Sequence, residues 1–111
     1  MPYTYHVIPH THWDREWYMP LEQFRLRLVN LLDHLLDLLQ KDPDFLTFHL
    51  DSQTIVVEDY LKVRPQRRAE LEQLIKGGRI SVGPWYQLND TYLTSGEATI
   101  RSLLIGTRMA R

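Results

Sequence analysis

His10-Thr11-His12-Trp13-Asp14-Arg15-Glu16-Trp17-Tyr18 lies between two stretches of opposite character. Before it, Tyr3 to Pro9 is a short run rich in aromatic and β-branched residues that reads as a β-strand. After it, Leu21 to Gln40 repeats leucine with the spacing of a helix. The motif therefore sits at the C-terminal end of a first strand, on a βα connection, where α/β enzymes gather their chemistry. If the strand continues through it, His10, His12 and Asp14 project to one side, because side chains along a strand alternate. Two imidazoles and a carboxylate placed this way can hold a divalent cation such as zinc. They equally suit a solvated polar loop. His-x-His alone is a weak signal; the carboxylate of Asp14 and the packing surfaces of Trp13 and Trp17 strengthen it.

The first helix opens after Pro20, a residue suited to a first turn. Leu21, Phe24, Leu28, Leu31, Leu32, Leu35, Leu38 and Leu39 form a broad apolar stripe, and Arg25, Arg27, Asp33 and Asp37 fall largely off it. The stripe is too short and too wide for a coiled-coil seam, so a helix packed on a sheet is expected. His34 reads as a surface residue. Asp42-Pro43-Asp44 is a turn, and Phe45 to Leu50 is a second strand, apolar enough to be covered on both faces. A helix over Thr54–Val63 follows. A second, over Gln66–Lys76, opens at Pro65 and is stopped by Gly77-Gly78. Arg79 to Gly83 is a third strand. Thr94-Ser95-Gly96-Glu97 has capping-box spacing, with the Thr94 hydroxyl and the Glu97 carboxylate expected to satisfy the first free amides. The final helix runs toward Arg111 with Ile100, Leu103 and Leu104 on its buried side.

Composition narrows the function. The chain has 111 residues, a formal net charge of −1 and no cysteine. That balance offers no broad attraction to nucleic acid or to an anionic membrane. Any metal must be held by His and carboxylate, which suits a reducing cytoplasm. The N-terminus lacks the basic start and apolar core of a signal peptide, and no run approaches a membrane span.

Strand, helix, strand, helix pair, strand, helix implies an α/β fold with a parallel sheet and right-handed crossovers. Three strands neither close a barrel nor bury two faces. The expectation is the N-terminal part of a larger catalytic domain, or a protomer that needs a partner such as a second copy. Each strand delivers polar residues at its C-terminal end: His10, His12 and Asp14, then Asp51 and Gln53, then Asp90. In a parallel sheet these places lie along one edge. Asp51 could instead cap the next helix, and Asp90 could be a turn residue. His49 is either a hydrogen-bonded core histidine or part of the site wall, and His6 reads as structural. Trp85 and Tyr86 suit either the core or the apolar face of a sugar.

At these residues the sequence resembles a known family. His10 to Trp17, Leu50-Asp51-Ser52-Gln53, Gly83-Pro84-Trp85-Tyr86 with Asp90, and Ser95-Gly96-Glu97 with Ile100 to Gly106 look like the N-terminal third of the catalytic domain of family 38 glycoside hydrolases. These are the zinc-dependent retaining α-mannosidases, and the bacterial branch is the most similar. The resemblance covers essentially residues 1–111, in the family's order. Ser52 stands where the family often has Gly. Asn89-Asp90-Thr91 stands where many members read Pro-Asp-Glu, which is more like the bacterial mannosylglycerate-hydrolase type.

The resemblance implies a (β/α)7 barrel, of which this chain would supply an incomplete β-α-β-α-α-β-α portion. It implies a zinc (or another divalent metal) held by His12, Asp14 and Asp90, with Asp90 also the catalytic nucleophile. It implies that His10 supports the ligands from behind, that Asp51 lies at the sugar-binding edge, and that Trp85 and Tyr86 lie near the sugar ring. The substrate would be an α-mannoside oligosaccharide or a mannosyl small molecule. The family's further His ligand and its acid/base carboxylate would lie beyond residue 111, so the chain alone is expected to be inactive. Two other readings compete: an amidohydrolase-like metal hydrolase, which also opens with His-x-His after its first strand, and a non-catalytic interaction module.

Overall fold

The structure, a computed structural model, describes residues 2–111. Its elements are β1 (His10–Thr11), α1 (Leu21–Lys41), β2 (Phe48–Leu50), α2 (Ile55–Val63), α3 (Arg68–Lys76), β3 (Ile80–Ser81) and α4 (Gly96–Met109). A short 3-10 turn, Pro65–Arg67, leads into α3. The strands form an open parallel sheet in the order β1-β2-β3. His10 pairs with His49 and Thr11 with Leu50; Phe48 pairs with Ile80 and His49 with Ser81.

The α/β alternation and the helices stand as read from the sequence, but the strands are shorter and the first is displaced. Tyr3 to Pro9 is not a strand; Tyr3, Tyr5 and Val7 are each more than four-fifths exposed. His6 is exposed as well. The reason lies in the backbone of residues 45–47. The Arg79 guanidinium donates to the carbonyls of Leu39, Phe45 and Leu46, which occupies that stretch before β2 begins. Pairing with the first strand starts only where the His49 amide reaches the Pro9 carbonyl, at 2.9 Å.

The core joins α1, β2, α2, α3 and β3. Phe24, Leu28, Leu32, Leu35 and Leu39 of the expected α1 stripe are buried, together with Val29 and Leu36, which widen it; Leu38 is exposed. Each fully buried leucine contributes about 1.5–3 kcal/mol. Leu50 and Ile80 are buried and Phe48 packs against the same cluster, whereas His49 lies on the opposite side of β2. There its ring nitrogens meet the Ser81 hydroxyl at 2.7 Å and the Ser52 hydroxyl at 3.0 Å. In this chain the sheet is therefore covered on one face, not on both.

The last helix departs most from expectation. Ser95, not Thr94, is the N-cap: its Oγ accepts from the Ala98 amide, while Glu97 turns along the helix to Arg101 at 2.6 Å. Ile100 and Leu104 are exposed. The helix is held instead by close approach of backbones at Gly106. A Cβ there would stand 2.2 Å from the Pro84 carbonyl oxygen and 2.3 Å from the Tyr86 nitrogen. Among the described residues, no helix is long and apolar enough to cross a membrane.

Candidate functional site

The ends of the three strands meet through one side chain. Gln53 is buried, and its Nε2 donates to the Trp13 carbonyl at 2.8 Å and to Asp51 Oδ2 at 2.9 Å. Its Oε1 accepts from the Leu88 amide at 3.1 Å. One carboxamide thus ties the loops after β1, β2 and β3. The β3 loop is also fastened to the start of α2. The Trp85 carbonyl accepts from the Thr54 amide, and the Tyr86 carbonyl from that of Ile55, each at 2.9 Å. These are free amides of a helix N-terminus that no side chain caps.

Asp51 and Ser52 turn the chain sharply, with φ of +43° and +57°. Left-handed backbone at a residue other than glycine costs of order 1–3 kcal/mol and gathers at functional turns. It also explains why a glycine suits position 52. The turn aims the Asp51 carboxylate at the β1 loop. Oδ2 accepts from the Trp13 amide at 2.7 Å, and the His12 Nδ1 lies 3.2 Å from the same oxygen. On the other side of the imidazole, Nε2 lies 3.7 Å from Asp14 Oδ1. His12 is thus flanked by two carboxylates, one on each ring nitrogen. Asp51 does not cap α2, whose N-cap position is Thr54.

Asp90 stands apart from this pair. It shapes an exposed turn: its Oδ1 accepts from the Tyr92 amide at 3.0 Å, and its carbonyl from Leu93 and Thr94. Among the described residues, no three His, Asp or Glu side chains come together as a metal-binding set. His12 and Asp14 fit two positions of such a set by donor chemistry, and the third is not assembled. The nearest polar partner of the exposed His10 ring is the Thr11 carbonyl, 3.3 Å from Nδ1. Tyr86 packs against the core and donates its hydroxyl to Glu58 at 3.1 Å. Burial and that carboxylate push its phenol pKa up. The Lys62 hydrogen bond outweighs burial and holds Glu58 below its usual range. Trp85 is half-buried and bridges to Gln53. Trp13 meets Phe24 edge-on at 6.1 Å, which anchors the motif; Trp17 is exposed and meets Tyr18 edge-on.

Sequence reasoning missed the strongest anchor of the motif. Arg15 donates from Nε and Nη2 to the two oxygens of Asp59, at 2.6 and 3.1 Å. Asp59 is 2% exposed, on α2, and Arg25 reaches the same carboxylate at 3.4 Å. Burial pushes Asp59 up, but the Arg15 hydrogen bond and the charges of Arg15, Arg25 and Lys62 outweigh it and hold the carboxyl below its usual range. The same bond raises Arg15 further. The signal was present: Asp59 lies four and three residues after Ile55 and Val56, on the apolar face of α2, where a carboxylate needs a cation.

Comparison with known proteins identifies the family of the chain. Residues 2–111 match the family described as glycosyl hydrolases family 38 N-terminal domain. A curated protein of Halalkalibacterium halodurans named "Putative mannosylglycerate hydrolase" is 53% identical over 108 residues, covering 97% of this chain and 12% of its own length. The crystal structure of an alpha-mannosidase from Enterococcus faecalis V583 superimposes with a TM-score of 0.90 at 45% identity, covering 93% of this chain and 12% of that one. A second Enterococcus faecalis protein, described as in glycosyl hydrolase family 38, gives 0.85 at 41% identity over the same shares. The chain therefore spans about an eighth of the length of these relatives.

Proposed function

The chain belongs to glycosyl hydrolase family 38, and on that premise we propose that it supplies one part of the active centre of a retaining, metal-dependent α-mannosidase. The single observation that carries this reading is the His12–Asp14 pair at the end of β1, backed by Asp51. The sheet would be a segment of a (β/α)7 barrel completed by the rest of the parent polypeptide, with the three strand ends facing the sugar.

His12 and Asp14 would hold the divalent ion, zinc by preference, with Asp90 and a further His completing the set. The ion would supply a Lewis-acidic template for vicinal sugar hydroxyls. The Asp90 carboxylate would attack the anomeric carbon as the glycosidic C–O bond breaks, forming a glycosyl ester. A second carboxylic acid, roughly 5 Å away in such enzymes, protonates the leaving oxygen and later activates water. That acid lies outside residues 1–111. Trp85 offers a half-buried aromatic face for the sugar ring, and His10 would support the ligand loop. The substrate class is an α-mannoside; the 53% identity to a protein named for mannosylglycerate favours a small mannosyl compound. The exposed apolar surface of this chain is surface that the rest of the parent polypeptide would cover.

The test is covalent trapping in the full-length parent. An activated fluorosugar of mannose should add one fluoromannosyl mass to the peptide that contains Asp90. Asp90→Asn should abolish labelling and lower turnover of an aryl α-mannoside by at least about a thousandfold. Labelling of another carboxylate, or near-normal turnover of the variant, would reject Asp90 as the nucleophile.

A further inference from the structure

We infer that Asp51 is the positioning residue that fixes the tautomer and angle of His12, and is not itself a contact to substrate. The inference rests on reading His12 and Asp14 as the ligand pair, but its own test does not require metal. The oxygens of Asp51 are already committed. Oδ2 accepts from the Trp13 amide at 2.7 Å and from Gln53 Nε2 at 2.9 Å. The carboxylate also faces His12 Nδ1, which lies 3.2 Å from Oδ2 and 3.4 Å from Oδ1. A carboxylate has no proton to give, so a hydrogen on His12 Nδ1 is the arrangement that the Asp51 contact selects. Nε2 stands 3.7 Å from Asp14 Oδ1, beyond hydrogen-bond reach, so that carboxylate holds no competing proton there and the lone pair stays available. A metal ligand needs that state, and a carboxylate behind an imidazole is the usual way to enforce it.

Three further observations tie Asp51 to this task. Its left-handed φ of +43° is the geometry that turns the carboxylate away from the sheet edge and toward the β1 loop. Its bond to the Trp13 amide clamps the backbone next to His12, so ring and main chain are held by one group. Gln53, which is 3% exposed, holds Asp51 in turn and so couples the His12 loop to the loop leading to Asp90.

Asp51→Asn is the discriminating change. Two N–H donors already demand an acceptor at the Oδ2 position, so the asparagine oxygen must stay there. Its NH2 group then faces His12 Nδ1 and donates to it, and the hydrogen moves to Nε2. In the 15N-labelled protein, long-range proton–nitrogen correlations of the neutral His12 ring, which distinguish the two tautomers, should show the Nδ1–H form. Asp51→Asn should reverse it, and zinc affinity, followed at the same ring, should fall about 10–100-fold. An Nε2–H tautomer in the unaltered protein overturns the inference without recourse to any variant. An unchanged tautomer in Asp51→Asn overturns it as well. Tautomer reversal with no zinc binding in the full-length parent, before or after His12→Ala, would instead reject the ligand reading and leave Asp51 as a holder of the loop alone.

Discussion

Asp59→Ala should lower the stability of the chain by about 3–5 kcal/mol, the range for breaking a buried ion pair on one side. The size follows from what remains. Asp59 is almost wholly inaccessible and receives both arms of Arg15 and one of Arg25. Truncating it leaves two guanidinium groups, each only a fifth to a quarter exposed, facing an apolar helix without a counter-charge. Urea unfolding followed by far-ultraviolet circular dichroism gives the difference directly. The pH dependence should change too. The folded-state pKa of Asp59 is depressed, so its contribution is complete above the ordinary carboxyl pKa of about 3.9. It drains away as pH falls through the lower folded value. The variant should therefore lose less stability than the unaltered chain on acidification below about pH 4. A loss under about 1 kcal/mol, typical of exposed pairs, would show that Arg15–Asp59 is not the anchor of the motif.

Gly106→Ala should also destabilise, against the ordinary trend. In a free helix interior that exchange gains about 1 kcal/mol. Here the added Cβ would lie 2.2 Å from both the Pro84 carbonyl oxygen and the Trp85 carbonyl carbon. These are backbone atoms, so the helix must lift or the loop must move. Either displacement breaks the Tyr86 amide bond to the Ser102 carbonyl and the Ser102 hydroxyl bonds to Gln87. A net loss of about 1–3 kcal/mol is expected, as for overpacking elsewhere. Gly96→Ala is the control, because a Cβ there meets nothing within 4 Å. Its thermal midpoint should barely change. On the proposed function, Gly106→Ala should in addition weaken turnover of an aryl α-mannoside by the full-length parent, since the displaced loop leads to Asp90.

Much of this was legible in the sequence because periodicity reports burial. The leucine stripe located α1 to within a residue of its end, and Gly77-Gly78 marked the stop of α3, with Gly78 at φ +72°. Strand ends were harder. Tyr3, Tyr5 and Val7 alternate as a strand should, yet pairing depends on what β2 can offer, and Arg79 had taken the carbonyls of Phe45 and Leu46. No local pattern encodes an arginine 33 residues away. The same limit applies at the site. The His10–Asp14 motif marked a polar loop at the end of β1, but the backbone of Trp13 and the ring of His12 are fixed by Asp51, and the loops are joined by Gln53. These are long-range polar contacts between residues that, taken singly, read as turn or cap residues. Gly106 gave no signal at all: a glycine inside a helix reads as a weakness until the backbone it admits is known.

The proposed function requires a metal at the end of β1, so metal content is the decisive comparison between the purified full-length parent and its His12→Ala variant. About one divalent ion per chain is expected in the unaltered protein, as for a single catalytic site. The variant should lose the ion and its aryl α-mannosidase activity together, and chelation of the unaltered enzyme should reproduce that loss until zinc is restored. Equal metal content in both proteins, or α-mannosidase activity that survives with the metal removed, would contradict the proposed function.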